Sequence, residues 1–306
     1  MSETAYVLAG PTASGKSALA MELALRHGLE IICMDSMQIY RRMDIGTAKP
    51  TPAERAAVPH HLVDVAEPDE PFTVTQWLEL ALAAQADIEA RGRRALYVGG
   101  TGFYLRALRH PMAMGETAGD ERLRAALQAE AEAPGGKERL HARLREVDPQ
   151  TAARLHPNDA RRVIRALEVY QLTGVPFSRQ QNPVGCAARP CRVAALAPER
   201  AEMYRRIDRR VDRMLEDGLL EEVRGLLASG VPADCQAMKA IGYKELVPCL
   251  RGECSLADAA DAIRQGTRHY AKRQLTWLRR EEDLFWVDPL TDTALGALEG
   301  YFFGVS

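Results

Sequence analysis

The chain has 306 residues, 46% hydrophobic and 27% charged, a composition that excludes disordered and fibrous classes and leaves room for about two domains. Forty Lys+Arg against 42 Asp+Glu give a net charge of −2, which excludes the uniformly basic surface of a bulk nucleic-acid binder.

In chain order, Tyr6-Val7-Leu8-Ala9 predicts a short strand running into the Gly-rich segment 10–17, and an alanine-rich helical pattern follows through Leu25. A second apolar run, 30–34, ends at Asp35-Ser36; a helical pattern spans Val74 to Ala90; a third run, 94–98, ends at Gly99-Gly100-Thr101-Gly102. Short, continuously apolar strands alternating with helices predict βαβ units around a buried parallel sheet. Ligands of such sheets sit at the carboxyl ends of the strands, so the three terminal segments are expected to converge on one site.

From about residue 116 the pattern becomes helical, over 123–133, 137–147 and 159–173, with Pro134-Gly135-Gly136 as an internal turn. Residues 193–197 then predict a strand returning to the sheet. The expected organisation is therefore a mixed α/β, P-loop NTPase-like core over 1–112 and 193–306, interrupted by an all-helical insertion over 113–192. Helices over 198–217 and 219–229 and a final pair around 256–280 complete the reading. In the first of these, Met203, Ile207, Val211 and Leu215 form the buried stripe, with Arg206, Arg210 and Arg213 on a neighbouring face.

The average charge conceals segregation. Residues 51–100 carry 4 basic and 8 acidic side chains, whereas residues 151–200 carry 8 arginines and 3 acids. Residues 264–280 hold Arg264, Arg268, Lys272, Arg273, Arg279 and Arg280 and no acid. No stretch reaches the 18 or so apolar residues of a membrane span, and the first residues do not resemble a signal peptide, so a cytoplasmic location is expected. The six cysteines, Cys33, Cys186, Cys191, Cys235, Cys249 and Cys254, lack the spacing and companion histidines of a zinc site, which predicts reduced thiols.

Gly10-Pro11-Thr12-Ala13-Ser14-Gly15-Lys16-Ser17 matches the P-loop pattern in full, in the strand-to-helix context that confirms it. Its amides and the helix N-terminus point at phosphate oxygens, Lys16 adds a mobile positive charge, and the Ser17 hydroxyl can hold Mg2+. The loop alone does not say whether its diphosphate belongs to a nucleotide or another ester. Asp35 at the next strand end could bind a metal, position a hydroxyl or remove a proton. Gln38 offers an amide for a base edge, and Tyr40 a ring to stack or to pack in the core. Thr101 is placed by its flexible glycines to approach a phosphate or bridging oxygen. Asn158-Asp159 begins a helix that carries Arg161 and Arg165 one turn apart.

Together with Ile-Gly-Thr-Ala-Lys-Pro (45–50), Pro-His-His-Leu (59–62), Arg-Ala-Leu-Glu-Val (165–169), Ala-Ile-Gly-Tyr-Lys-Glu (240–245) and Lys-Arg-Gln-Leu-Thr-Trp-Leu-Arg (272–279), these motifs resemble the bacterial tRNA dimethylallyltransferases, in order and over nearly the whole chain. The resemblance implies transfer of a dimethylallyl group from dimethylallyl diphosphate to N6 of adenine 37 in tRNAs that read codons beginning with U. It implies that residues 10–17 hold the diphosphate, with Mg2+ at Ser17, and that Asp35 is the general base. Thr101 would lie near the amine and the bridging oxygen, and Arg210 would assist at the diphosphate. The implied tRNA contacts are Asp35, Ser36, Met37, Gln38, Thr101, Leu123, Asp159, Ala160, Arg161, Arg162, Val163, Ala240, Ile241, Gly242, Tyr243, Lys244, Glu245 and Arg273. Arg161-Arg162 stands where the family usually has Gln-Arg. The zinc finger of eukaryotic relatives is absent from this sequence. A monomer would suffice for the reaction.

Two other readings share these residues: an ATP-dependent small-molecule kinase with a lid of arginines, and a nucleotide-regulated RNA-binding protein without catalysis. The acid-free basic segment 264–280 with Trp277 suits a phosphate backbone better than a compact kinase.

Overall fold

A computed structural model describes residues 4–110, 119–180 and 189–304. Among them, β1 (Ala5–Ala9), β2 (Leu29–Met34), β3 (His60–His61), β4 (Arg94–Gly99), β5 (Cys191–Leu196) and β6 (Leu284–Val287) form a sheet in the order β3-β2-β4-β1-β5-β6. Every pairing is parallel. β1 lies at the centre with Val7 opposite both Tyr97 and Val193. Successive connections run from β1 outward to β2 and return to β4, so the strand ends on either side of β1 open a crevice at the reversal.

The helices before the insertion are α1 (Lys16–His27), α2 (Pro52–Ala57), α3 (Val74–Ala90) and α4 (Gly102–Arg109). Those of the insertion are α5 (Glu121–Glu132), α6 (Gly136–Val147), α7 (Pro149–Arg154), α8 (Ala160–Thr173) and α9 (Phe177–Gln180). After it come α10 (Arg200–Glu216), α11 (Leu219–Ala228), α12 (Tyr243–Leu250), α13 (Leu256–Leu278) and α14 (Ala294–Phe303).

Both faces of the sheet are covered, which is why its strands read as continuous apolar runs. Leu8, Leu96 and Leu196 pack with Leu23 of α1 and Leu298 and Phe302 of α14. Trp77 of α3 meets Tyr97 edge-on at 6.4 Å between centroids, and its indole N–H donates to the Cys33 carbonyl at 3.0 Å. Trp77 is fully buried, and its replacement by alanine is worth about 3–5 kcal/mol by the usual cost of such cavities.

The chain divides into two compact units, residues 1–109 with 189–306 and residues 110–188. The boundaries therefore differ from 112/113 and 192/193, and residue 113 lies outside the described residues. At the second boundary the reason is local. β5 starts at Cys191, paired with Ala5, and Arg192 stays on the strand by donating to the Tyr301 and Phe302 carbonyls at 3.0 and 3.1 Å. The charged Arg192 hid the strand's first two residues from an apolar-run reading. The expected helix pair around 256–280 is one helix of 23 residues, because Gly266 packs against Ile241 and Glu245 without breaking it.

The second unit has its own core, in which Leu127, Leu140, Leu144, Val163, Ile164 and Leu167 meet. Glu168 is 0% exposed within it and accepts from Arg124 and Arg165, each at 2.9 Å. A buried carboxylate is tolerable only with such partners. The Pro-Gly-Gly turn is a steric requirement: a Cβ on Gly136 would lie 1.8 Å from the Glu130 carbonyl oxygen.

Candidate active site

The three strand ends do converge. A cleft of about 1110 Å3 is lined by the loop after β1, by Asp35 after β2, by Gly99 at the end of β4, and by residues of α10 and α13. All of its lining belongs to the first unit.

The loop after β1 turns sharply enough to need Gly15 at φ 90° and carries Ala13 at φ 60°, so its amides face inward before α1 begins at Lys16. Ser14 is buried, and its hydroxyl has no hydrogen-bond partner among the described residues. Lys16 Nζ donates to the Pro11 carbonyl at 2.8 Å. Burial lowers the Lys16 pKa to about 8; the Asp35 carboxylate pulls it up against that, and the Arg210 charge pushes it further down. Arg210 is also held below its usual range, by burial first, with Asp35 opposing. Its guanidinium reaches the Thr12 hydroxyl at 3.4 Å. Neither cation forms a contact ion pair among the described residues; Asp35 is the nearby carboxylate that acts on both.

Asp35 faces these groups from the end of β2. One of its oxygens, Oδ1, accepts the Met37 amide at 2.8 Å, which fixes the side chain at the cleft wall. Thr101 begins the turn into α4 beside it: its hydroxyl accepts the Ser36 amide at 3.1 Å, and its own amide donates to the Met34 carbonyl at 3.4 Å. Asp35 and Thr101 are thereby tied by adjacent backbone bonds. Gln274 of α13 joins this pair to the P-loop. It accepts the Thr12 amide at 2.8 Å and donates to the Gly100 carbonyl at 2.9 Å. A Cβ on Gly100 would meet the Gln274 amide nitrogen at 2.2 Å, and one on Gly102 would meet the Trp277 ring at 2.3 Å. Those glycines let α13 lie directly on the loop.

Ser36, Met37 and Gln38 line the same cleft. The Gln38 amide, however, donates to the Thr47 and Ala48 carbonyls at 3.1 Å each, and its oxygen accepts from the Cys33 thiol. It braces the 44–50 loop rather than standing free. Tyr40 is fully buried, the packing alternative of the two the sequence left open.

Residues 240–245 begin at the cleft wall, which Ala240, Ile241 and Lys244 line. Tyr243 is buried and donates to Glu222, and Glu245 accepts the Gly242 amide as a helix cap. Glu222 also takes the amides of Asp44, Ile45 and Gly46, so these two side chains support the loop from behind. In the second unit, Arg161 and Arg162 are exposed, and Arg162 pairs with Asp159 at 3.2 Å. Val163 is buried in the core, and Leu123 and Ala160 pack against that core, so their side chains offer less surface than the sequence suggested. Arg165 is taken up by Glu168.

The basic segment of α13 divides similarly. Arg264 pairs with Asp212 and Arg268 with Asp208 of α10. Lys272, Arg273 and Arg280 line a second, shallower depression of about 440 Å3 with His269, Thr276 and Trp277, and the Arg273 guanidinium sits 5.7 Å from the Tyr270 ring centroid.

No group of three or more His, Cys, Asp or Glu among the described residues could hold a metal. The available donor on the P-loop is a hard oxygen, the exposed Ser17 hydroxyl. That donor fits Mg2+, which takes few protein ligands and completes its shell with phosphate oxygens and water.

Against this geometry, a family model described as IPP transferase matches residues 38–281, and one described as isopentenyl transferase matches residues 3–61. The tRNA dimethylallyltransferase of Geobacter metallireducens is 50% identical over 300 residues, covering 97% of this chain and 96% of its own. The chain belongs to the IPP transferase family.

Solved members of this IPP transferase family superpose on it. The full-length tRNA isopentenylpyrophosphate transferase of Bacillus halodurans is 41% identical, with a TM-score of 0.71 over 99% of this chain and 95% of that one. A eukaryotic dimethylallyltransferase, captured acting on tRNA, is 30% identical, with a TM-score of 0.82 over 98% of this chain and 77% of that one. The core is accordingly P-loop NTPase-like, as its strand order and first turn indicate.

Sequence reasoning missed several residues that shape this IPP transferase cleft. Gln274 is one, although a signal existed: Ile263, Ala271, Gln274 and Leu278 are the buried stripe of α13, and a glutamine in such a stripe needs partners. Arg206 is another. Its Nε donates to Glu202 at 3.0 Å, and its Nη1 lies 3.4 Å from where a Cβ on Gly15 would stand, against the P-loop. Glu222 gave no signal, since its loop partners lie some 180 residues earlier.

Proposed function

We propose that this IPP transferase moves a dimethylallyl group from dimethylallyl diphosphate to N6 of adenine 37 in tRNAs reading codons that begin with U, giving N6-(dimethylallyl)adenosine and diphosphate. That it is a prenyltransferase acting on tRNA follows from its family; the base, the atom and the roles of the residues are the proposal. The observation that carries it is the pair of cations without contact ion pairs, Lys16 and Arg210, sharing one cleft with Asp35, beside which Thr101 is held through the Ser36 amide.

An adenine stacked in an anticodon loop is inaccessible, so the base is extruded into the cleft. The N6 nitrogen attacks C1 of the allyl group while the bond from C1 to the bridging oxygen breaks. Asp35 takes the proton that N6 loses, and its contact with the Met37 amide leaves one oxygen free for this. Negative charge grows on the departing diphosphate, which Lys16, the P-loop amides within residues 12–17 that are not taken by Gln274 or Pro11, and the Arg210 guanidinium would stabilise; charge held in place by the fold does this at little cost in rearrangement. Thr101 holds the amine close to the bridging oxygen. Mg2+ held at Ser17 would supply further charge neutralisation of the diphosphate.

The tRNA reading extends to Ser36, Met37 and Gln38 around the base, to Leu123 and residues 159–163 on the insertion, and to residues 240–245 and Arg273. No helix among the described residues is long and apolar enough to cross a membrane.

The test is direct. Protein, dimethylallyl diphosphate, Mg2+ and unmodified tRNA are mixed, and the digested tRNA is searched for N6-(dimethylallyl)adenosine. The product is expected with wild-type tRNA and is expected to vanish when position 37 is guanosine. Transfer of the γ-phosphate of ATP without prenylation, or product that persists in the substituted tRNA, overturns the reading.

A further inference from the structure

The reaction just described has two sides, and different loops hold them. The P-loop holds the leaving group, whereas the Asp35 and Thr101 turn meets the nucleophile. Displacement at carbon depends on the distance and alignment between the two, and a misplacement of about 1 Å costs roughly 10²-fold in rate. What sets that distance is therefore a question the fold has to answer.

The loops follow β1 and β4, adjacent strands, but the sheet ends at Ala9 and Gly99 and ladder bonds do not continue beyond. Past that point one side chain among the described residues hydrogen-bonds to the backbone of both loops, Gln274. It is 7% exposed, and both ends of the amide are engaged: oxygen to the Thr12 N–H at 2.8 Å, nitrogen to the Gly100 carbonyl at 2.9 Å. Thr12 is the residue whose hydroxyl meets Arg210, and Gly100 immediately precedes Thr101. The fit is mutual, since Gly100 leaves the space a Cβ would take from the Gln274 nitrogen.

Gln274 also carries a chemical consequence. Its oxygen occupies the Thr12 N–H, a P-loop amide that is thereby withheld from an anion. A group whose main task was to bind diphosphate would leave that donor open. Gln274 gives up a donor in exchange for a fixed spacing.

We propose that Gln274 is a positioning residue for prenyl transfer: its amide sets the separation between the diphosphate-holding loop and the Thr101 turn, and thereby acts on the rate of transfer rather than on the binding of either substrate. The proposal rests on the prenyl-transfer reading. It makes a prediction opposite to that of a structural prop. Loss of the amide frees the Thr12 donor, so diphosphate binding is retained or tightened while transfer slows.

The experiment uses the full chain with Gln274→Met, which keeps the length and shape of the side chain, and Gln274→Glu, which keeps an acceptor for Thr12 but removes the donor to Gly100. Three quantities are measured: single-turnover prenylation of unmodified tRNA, the Kd of inorganic pyrophosphate by calorimetry, and the Kd of tRNA. Both variants are expected to lose on the order of 10²-fold in single-turnover rate, with tRNA binding within about threefold; pyrophosphate binding is expected to be unchanged or tighter in Gln274→Met, which frees the Thr12 donor, and not tighter in Gln274→Glu, which keeps that donor occupied and adds a negative charge beside it. Rates within about threefold of wild type overturn the proposal. So does a rate loss in Gln274→Met matched by an equal weakening of pyrophosphate binding, which would make Gln274 part of the support for the P-loop alone. If the wild-type chain itself yields no prenylated tRNA, the prenyl-transfer reading falls first and the role assigned to Gln274 falls with it.

Discussion

Charge is handled in opposite ways in the helical unit and in the cleft of the first unit. In the helical unit the buried Glu168 is matched by Arg124 and Arg165, and Arg162 is matched by Asp159. In the first unit Lys16 and Arg210 are desolvated with no contact ion pair among the described residues, and Asp35, held by the Met37 amide, lies across from them. Paired charge in a protein interior serves the fold, because an unmatched partner there is costly. Charge left unmatched in a cleft is a cost to the empty protein that a bound anion removes. The contrast separates arginines that look alike in sequence: Arg165, Arg264 and Arg268 belong to structure, and Arg210 to the site.

Four changes probe this contrast. The largest effect is expected from replacing Arg124 and Arg165 together by alanine, which strands Glu168 and should cost on the order of 3–5 kcal/mol in urea unfolding. Activity per folded molecule should not change at low temperature. Arg210→Ala should act in the reverse manner: a fall in prenylation rate of about 10²-fold, as for other single donors to developing charge, with little change in unfolding. Arg210→Lys should not restore it, because the planar fork is lost.

The third probe is pH. With Lys16 at about 8 in the empty cleft, diphosphate binding must raise its pKa, so the contribution of this charge to affinity is complete below about 8. As pH rises through that value, pyrophosphate affinity should fall by up to about tenfold per unit. Calorimetry in buffers of different ionisation enthalpy should register proton uptake above pH 8, and Lys16→Arg should flatten the profile. The smallest effects belong to Arg161→Ala and Arg273→Ala, each expected to weaken tRNA binding a few-fold and to reduce its salt slope by about 1. Unchanged slopes would return those side chains to an ordinary solvated surface.

Much of the core was legible because parallel strands buried on both faces are uninterrupted apolar runs, as 6–9, 30–34 and 94–98 are. β3 escaped because it is two histidines pairing with Ile31 and Ile32, and β6 because Leu284–Val287 is four residues at the sheet edge. The P-loop, Asp35 and Thr101 were legible for a different reason: each sits at a strand end, so local sequence fixes its place. Partners across long separations were not. Nothing local tells that Arg268 meets Asp208, that Gln274 reaches Thr12, or that the Gln38 amide is occupied by Thr47 and Ala48. The individual motifs were visible, but which of their groups remain free depended on the packing between them.

The central claim is that the unmatched charge of the cleft acts on the chemical step, and Asp35 tests it most directly. In Asp35→Ala, single-turnover prenylation and the Kd for unmodified tRNA are measured on the same preparation. The rate is predicted to fall by on the order of 10²-fold or more with tRNA affinity within a few-fold of wild type, as for a lost general base. An equal loss of tRNA affinity, or a rate close to wild type, would contradict the account, since Asp35 would then hold the base without removing its proton.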